Sequence, residues 1–238
     1  MTTAKAPTDI LILCGGLGTR LQSVVSDVPK SLALINNTPF LKILLNKYSQ
    51  QGYKRFILCT GYMHDAYDSF IKTVPELDVV LSKEDTPLGT GGAIVNALSL
   101  VSSENVIVVN GDTFLDCHLN CLEMLHTSNK ADLTFCLTKV NDASRYGAVD
   151  ITATNKVIGF KEKDPVSKPG LINTGCYVLR TSVFSKFNLK KFSFESDFIA
   201  KNINNLNLMA YKAGECLFID IGIPESYESA QTLLKEFT

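Results

Sequence analysis

The chain has 238 residues, 45% of them hydrophobic and 20% charged, a composition typical of a folded globular protein with one well-buried core. Its 23 basic and 24 acidic residues nearly cancel, so no broad positive field favours nucleic acid as a partner. No apolar run is long enough for a membrane helix, and the N-terminal residues lack a signal-peptide pattern. We therefore expect a cytoplasmic protein that binds neither nucleic acid nor membrane.

Short apolar runs in the first half alternate with amphipathic segments and predict β-α-β units with parallel strands. The predicted strands span residues 9–14, 56–60, 79–82 and 106–110. Between the first two strands, Thr38 and Pro39 are predicted as the N-cap and first residue of a crossover helix that stops at Gly52.

The second half predicts strands in quicker succession, over residues 133–140, 147–151, 157–161 and 172–180, with a turn at Asn155. Thr181 and Ser193 are candidate helix N-caps, and Pro224 is placed to begin a terminal helix. Together the elements predict the α/β class, as a single domain with a Rossmann-like, mixed and mainly parallel sheet flanked by helices.

The seven cysteines form no C-x-x-C pair, and the three histidines show no spacing typical of metal ligands. Several cysteines lie inside apolar strand-like runs, which predicts buried, reduced thiols. A zinc site is not favoured.

A glycine-rich loop, Gly15-Gly16-Leu17-Gly18, follows the first predicted strand and is able to cradle phosphates. It fails the dinucleotide-binding fingerprint because Leu21 replaces the last small residue, and the chain contains no Gly-Lys dipeptide for a P-loop. Arg20 and Lys30 can bring two cations to a triphosphate. The alternative is a tight structural turn followed by two solvated cations.

Together with Thr19, Arg20 and the pair Pro29-Lys30, this loop resembles the signature of the sugar-1-phosphate nucleotidyltransferases, and further motifs follow in the family's order. They are Leu88-Gly89-Thr90-Gly91-Gly92-Ala93, Asn110-Gly111-Asp112, Glu162-Lys163, Asn173-Thr174-Gly175 and the segment 218–227 around Asp220. The resemblance covers about 210 residues. It implies a nucleotide-binding part over about 1–130 and a sugar-phosphate-binding part over about 131–238.

The resemblance implies transfer of a nucleoside monophosphate to a sugar 1-phosphate by in-line displacement, with release of pyrophosphate and with Mg²⁺ bound by Asp112 and Asp220. Arg20 would hold the pyrophosphate and Lys30 the α-phosphate region. The implied nucleotide-binding residues are Leu13, Gly15, Gly16, Gly18, Thr19, Glu84, Gly89, Thr90 and Gly111, and the sugar-phosphate-binding residues are Gly147, Glu162, Lys163, Asn173 and Thr174.

Two positions depart from the family's pattern. Asp164 stands where a proline often follows the Glu-Lys pair, and the segment 190–195 lacks the arginine that some members use for the sugar phosphate. Lys190 or Lys191 could substitute, as point charges without a bidentate fork. Residue by residue, the structural alternatives are a turn aspartate for Asp112 and solvated surface residues for Lys163 and Glu84.

Within the family, the chain most resembles the guanylyltransferases that act on mannose-configured sugars, including a manno-heptose, for cell-surface polysaccharide synthesis. Glu84 lies five residues before Gly89, where members that use uracil or thymine often have glutamine. A carboxylate suits the two adjacent donors of guanine, so GTP is the expected nucleotide. The alternatives are mannose 1-phosphate as the substrate, a different nucleotide (UTP, dTTP or CTP), or a catalytically silent regulator that binds nucleotide sugars.

Overall fold

The computed structural model describes residues 8–161, 168–185, 187 and 189–238. The strands are β1 (Ile10–Leu13), β2 (Leu34–Ile35), β3 (Thr38–Pro39), β4 (Arg55–Thr60), β5 (Asp78–Lys83), β6 (Asn105–Asn110), β7 (Thr113–Leu115), β8 (Leu133–Val140), β9 (Ala148–Ile151), β10 (Val157–Lys161), β11 (Gly170–Arg180), β12 (Leu208–Lys212) and β13 (Phe218–Asp220). The α-helices are α1 (Phe40–Gln50), α2 (Asp65–Ile71), α3 (Gly89–Ala97), α4 (Leu119–Ser128), α5 (Ala200–Asn202) and α6 (Pro224–Leu233).

Two compact units make up the chain. The first unit contains Met1–Pro87, Ala93–Phe114 and Ile219–Thr238, and the second contains Leu88–Gly92 and Leu115–Phe218. None of the helices in the described part of the chain has the length and apolarity that a bilayer crossing needs. The predicted division near residue 130 stays a prediction.

The first unit contains a parallel sheet of four strands in the order β6-β1-β4-β5. The side chains of Ile10, Leu11 and Ile12 in the central strand β1 are fully buried, as expected for a parallel sheet covered on both faces. These four strands confirm the predicted strands of the first half within one residue at each end. Because Leu13 pairs with both Cys59 and Asn110, the carboxyl ends of β1, β4 and β6 meet at one edge.

The start of helix α1 corrects a prediction. Thr38 and Pro39 are not its N-cap and first residue; they form β3, which pairs with β2 in a hairpin, and the helix begins at Phe40. The hairpin turn consists of Asn36 and Asn37, both with left-handed backbone angles (φ 46° and 66°). Two consecutive positive φ values are the requirement of a tight type I′ hairpin, and asparagine tolerates them.

The predicted end of α1 is confirmed. Gln51 is the C-cap, and Gly52 follows it with φ 95°, a backbone angle at which glycine avoids the strain of a side chain.

Five strands of the second unit pair in the order β10-β9-β11-β8-β12, and among these pairs only β8–β12 is parallel. The strands predicted for the second half are confirmed, with β11 beginning two residues earlier than expected. The pairing of β11 with β8 is irregular between Asn173 and Tyr177, where Gly175 has φ 73°. Asn155 has φ 62° and forms the predicted turn.

Two of the three helix starts predicted for the second half are confirmed. The hydroxyl of Ser193 caps a π-helical segment, Phe194–Ile199, by accepting the backbone N–H of Ser196. Pro224 occupies the first turn of α6. Thr181 is not an N-cap: it is the first residue of a 3-10 turn that begins after Arg180 and has no side-chain cap.

Five phenylalanines anchor the π-helical segment in the second unit. Neighbouring ring centroids lie 4.5–6.2 Å apart in tilted, edge-on or stacked pairs. The five are Phe184, Phe187, Phe192, Phe194 and Phe198. Such pairs add to the burial of apolar area and hold the segment 190–199 in place.

Candidate active site

Backbone hydrogen bonds extend the sheet of the first unit beyond the formal ends of its strands. The N–H of Gly111 donates to the carbonyl of Leu13 (3.0 Å), and the N–H of Glu84 donates to that of Thr60 (2.8 Å). These bonds bring the glycine loop, Glu84 and Gly111 to the same edge of the sheet. The carboxyl edge of a parallel sheet is where such folds bind ligands.

The glycine loop packs against Lys30. Gly18 has φ 61°, and a Cβ atom there would lie 3.2 Å from the Cβ of Lys30, so a side chain would be both strained and crowded. A Cβ on Gly15 would lie 3.0 Å from Oε1 of Glu84, which places that carboxylate beside the first glycine. Gly16 and Thr19 are exposed at the surface of the loop.

Lys30 and Asp112 form an ion pair in which Nζ donates to Oδ2 of the carboxylate. Their side chains are 17% and 22% exposed, so the pair lies partly buried at the edge of the sheet. Oδ1 of Asp112 accepts a hydrogen bond from the hydroxyl of Thr113 (3.2 Å). The predicted phosphate-binding lysine and the predicted metal-binding aspartate are therefore in direct contact.

Asp220 approaches Asp112 through the pairing of β7 with β13. The N–H of Ile221 donates to the carbonyl of Asp112 (2.9 Å), and Oδ1 of Asp220 accepts from the N–H of Gly222 (2.6 Å). Arg20 also reaches this region: one of its guanidinium nitrogens lies 3.5 Å from the point where a Cβ would stand on Gly222. The four predicted catalytic residues thus belong to one region of the first unit.

The described residues contain no group of three or more His, Cys, Asp or Glu side chains able to hold a metal ion. Asp112, in the turn just before β7, and Asp220, at the end of the paired strand β13, nevertheless supply two carboxylates. Mg²⁺ in nucleotide-dependent enzymes is commonly held by one or two carboxylates, with phosphate and water oxygens completing its shell. The two carboxylates fit such an ion once the ion pair between Lys30 and Asp112 is broken.

Tyr67 holds the glycine loop through a hydrogen bond to Cys14, the residue just before it. The sequence gives no signal for this role, because a tyrosine on a helix is ordinarily a core residue. Tyr67 is fully buried on α2, and its hydroxyl donates to the carbonyl of Cys14 (3.0 Å) and lies 2.7 Å from Oγ of Ser31. Burial raises the pKa of the Tyr67 hydroxyl, which keeps it protonated. It ties the start of the glycine loop to the turn that carries Lys30.

In the second unit, the predicted base-binding loop is held by the segment that contains Phe192. The N–H of Gly91 donates to the carbonyl of Phe192 (3.0 Å), and the N–H of Phe192 donates to that of Leu88 (2.9 Å). A Cβ on Gly91 would lie 2.1 Å from the Phe192 ring, so only glycine permits this approach. The predicted loop is corrected in one respect: Gly89 and Thr90 begin α3, so most of it is the first turn of that helix, where Gly89 is exposed.

The predicted sugar-binding residues Gly147, just before β9, and Asn173 and Thr174, on β11, are partly brought together. The N–H of Asn173 donates to the carbonyl of Gly147 (2.9 Å). Thr174 is only 3% exposed, and its hydroxyl donates to the carbonyl of Cys136 (2.9 Å), so this hydroxyl is turned into the core rather than towards a ligand. Glu162 and Lys163 lie outside the described residues.

Comparison with known proteins assigns the chain. The nucleotidyl transferase family model matches residues 10–236, nearly the whole length. The chain belongs to this family. The prediction of a sugar-1-phosphate nucleotidyltransferase is thereby confirmed at the level of the family, and the nucleotidyl transferase fold agrees with the predicted α/β class.

Relatives of this nucleotidyl transferase include several guanylyltransferases. D-glycero-α-D-manno-heptose 1-phosphate guanylyltransferase of Aneurinibacillus thermoaerophilus is 41% identical over 231 residues, 96% of this chain and 99% of the relative. Mannose-1-phosphate guanylyltransferase of Mycobacterium tuberculosis is 32% identical over 185 residues, 77% of this chain and 52% of the relative. The crystal structure of HddC from Yersinia pseudotuberculosis complexed with GMP-PN has a TM-score of 0.84 and 38% identity, and the match covers 97% of this chain and all of that chain.

Proposed function

We propose that this nucleotidyl transferase transfers GMP from GTP to D-glycero-α-D-manno-heptose 1-phosphate, both taken from the cytoplasm, and so forms GDP-heptose and pyrophosphate. The observation that carries the proposal is the similarity, over almost the full length of both chains, to a guanylyltransferase named for that sugar. The HddC structure with a bound guanine nucleotide analogue supports the choice of nucleotide. The product would serve cell-surface polysaccharide synthesis.

The reaction requires charge stabilisation rather than a protein nucleophile. An oxygen of the sugar phosphate attacks the α-phosphorus of GTP, and the bond from that phosphorus to the bridging oxygen of pyrophosphate breaks in line. Arg20 is proposed to hold the leaving pyrophosphate. Lys30, transferred from Asp112 to the α-phosphate region, would stabilise the charge that develops there.

The proposal includes Mg²⁺, for which Asp112 and Asp220 are the protein ligands. When bound, the ion would neutralise phosphate charge and orient the triphosphate. The two carboxylates fit this role because they are hard oxygen ligands, and the backbone bond from Ile221 to Asp112 brings the two segments together. Lys163 is proposed to bind the incoming sugar phosphate, and Glu162 the sugar hydroxyls.

Glu84 is proposed to select guanine. Its carboxylate lies beside Gly15 and is half-buried, which limits competition from water for its hydrogen bonds. Guanine offers N1–H and N2–H₂ as neighbouring donors, and one carboxylate can accept both. Uracil and thymine offer one N–H between two carbonyl oxygens, which a carboxylate would repel.

A matrix of nucleoside triphosphates against sugar 1-phosphates, scored by pyrophosphate release with Mg²⁺ present, tests the proposal. GTP with the manno-heptose 1-phosphate is expected to have the highest kcat/KM. Mannose 1-phosphate is the second candidate, because the Mycobacterium relative has that substrate in its name. A higher kcat/KM for any other pair would overturn the proposed substrate, and pyrophosphate release from no pair would favour the silent regulator.

A further inference from the structure

Glu195 joins two motifs that are 83 residues apart in the second unit, Thr90 of the base-binding loop and Asn173 of the sugar-binding strand. Oε2 of Glu195 accepts a hydrogen bond from the hydroxyl of Thr90 (3.0 Å), and Oε1 accepts one from the hydroxyl of Tyr177 (3.2 Å). The side-chain amide of Asn173 donates to the same Tyr177 hydroxyl (2.6 Å). We call the four side chains the Glu195 relay.

The direction of each bond in the relay follows from chemistry. An ionised carboxylate only accepts, so both hydroxyls donate their single hydrogen to Glu195. The Tyr177 oxygen is then left to accept from Asn173, and the Thr90 oxygen accepts the backbone N–H of Phe194 (2.8 Å). The hydroxyls of Thr90 and Tyr177 therefore each donate one hydrogen bond and accept one.

The interior of the unit does not need these polar atoms for packing. Tyr177 is fully buried, and its ring makes edge contacts with Phe135 (5.6 Å) and Phe194 (5.2 Å) that a phenylalanine would also make. Burial, and then the charge of Glu195, raise the pKa of Tyr177, so its hydroxyl stays a donor. A buried hydroxyl and a half-buried carboxylate are tolerated there because the relay satisfies them.

Asn173 is held at both ends of its side-chain amide. Its Oδ1 accepts the N–H of Gly175 (3.2 Å) at the irregular turn of β11, while its Nδ2 donates to Tyr177. This clamp fixes the direction of the second hydrogen on Nδ2. A preorganised donor binds a ligand without the entropy loss of ordering a free side chain.

We propose that Glu195 and Tyr177 are positioning residues of the transferase: they hold Thr90 and Asn173 at a fixed separation, so that the base-binding loop and the sugar-binding strand form one preorganised element. The inference rests on the proposed function, because it takes Thr90 and Asn173 as contacts of the nucleotide and of the sugar phosphate. The relay has two branches that meet at Glu195, one to each of these contacts.

The two branches can be cut separately. Tyr177→Phe keeps the ring and removes the link to Asn173, and it is expected to raise KM for the sugar 1-phosphate roughly 5- to 10-fold with KM for GTP within twofold of the parent value. Thr90→Val keeps the shape of the side chain and removes its hydrogen bond to Glu195. It should therefore raise KM for GTP and leave KM for the sugar 1-phosphate within twofold of the parent value. Thr90→Ser, which retains the hydroxyl, should restore the parent KM for GTP.

Glu195→Gln has one acceptor where the carboxylate has two, so it should raise both KM values. Adding Tyr177→Phe to it should raise KM for the sugar 1-phosphate by less than the product of the two single effects, because both changes break the same branch. Tyr211→Phe on β12 is the matched control, since its hydroxyl is outside the relay, and it should leave both KM values at those of the parent.

Equal changes of both KM values in Tyr177→Phe, or unchanged KM values with only a lowered melting temperature, would overturn the relay and leave Tyr177 a core residue. The assays use the triphosphate and sugar phosphate pair that the parent turns over fastest. A preference for another pair therefore corrects the proposed substrate without affecting the branch test. If the parent turns over no pair, dissociation constants measured by calorimetry replace the KM values.

Discussion

Lys30 and Asp112 form an ion pair between residues 82 positions apart in the chain. Both side chains are less than a quarter exposed, so each charge would lose solvation without the other. The pair holds Lys30, the proposed phosphate-binding cation, against the carboxylate that is proposed to bind Mg²⁺. If Asp112 binds the metal as proposed, its carboxylate must first be released by Lys30, whose ammonium group would then be free to bind a phosphate.

Replacing Lys30 with methionine tests this exchange. Lys30→Met keeps most of the apolar stem and removes the charge, so turnover should fall by roughly 100-fold or more, as when a preorganised donor to a developing charge is lost. The melting temperature should change by only a few degrees, because the Asp112 side chain is 22% exposed and water can solvate its carboxylate when Lys30 is absent. Lys72→Met, at an exposed lysine of the first unit, is the control. A rate within threefold of the parent would contradict the role of Lys30.

Asp112→Asn and Asp220→Asn should each lower turnover by more than about tenfold and raise the Mg²⁺ concentration needed for half-maximal rate. Each change removes a carboxylate charge while nearly keeping the shape of the side chain, so the fold should persist. Mg²⁺ titrations of pyrophosphate release, with melting curves alongside, measure both effects. Asp65→Asn, at an exposed aspartate of the same unit, should behave as the parent does. Parent-like turnover at low Mg²⁺ would show that the changed aspartate is not a ligand.

Glu84→Gln should cost roughly 1–3 kcal/mol of transition-state stabilisation with GTP, as expected when one of two paired hydrogen bonds to a buried group is lost. The advantage of GTP over UTP should shrink accordingly. Competition assays with mixed triphosphates measure that ratio directly. Asp85→Asn, at the exposed neighbouring residue, is the matched control. An unaltered ratio of GTP to UTP use in Glu84→Gln would sink the assignment of Glu84 to guanine.

Cys14 is expected to make the free energy of unfolding decrease as the pH becomes alkaline. Burial raises the pKa of this thiol from an ordinary value of 9.0 to about 12. Because the folded state holds the proton more tightly than the unfolded state, the contribution to stability is complete below pH 9 and is lost as the pH rises towards 12. One such group changes the free energy of unfolding by at most about 1.4 kcal/mol per pH unit.

Urea unfolding of the parent and of Cys14→Ala between pH 8 and pH 10.5 measures the contribution of this thiol. The parent should lose more stability over this range than the variant does. Cys121→Ala, at a half-exposed cysteine, is the control and should keep the slope of the parent. Identical slopes for the parent and Cys14→Ala would show that the Cys14 thiol does not contribute.

The sequence by itself determined eight strands, β1, β4–β6 and β8–β11, because continuous apolar runs bounded by turn residues have few other stable conformations. It also determined local features that depend on one or two residues, such as the Ser193 cap and the turn at Asn155. It did not predict β12. The short β2–β3 hairpin before α1 was not predicted from the sequence. Thr38-Pro39 satisfies the rules for a helix start, and only pairing with β2 decides against them.

The placement of the glycine loop, Asp112 and Asp220 at one edge was predictable because each follows a strand, and strand ends of one polarity meet at one edge. Lys30 was predicted from the Pro29-Lys30 motif. The sequence did not predict the ion pair of Lys30 with Asp112 or the Glu195 relay. A side chain's hydrogen-bond partner depends on distances of a few tenths of an ångström between elements far apart in the chain. Packing sets those distances, so only the tertiary structure decided which polar groups meet.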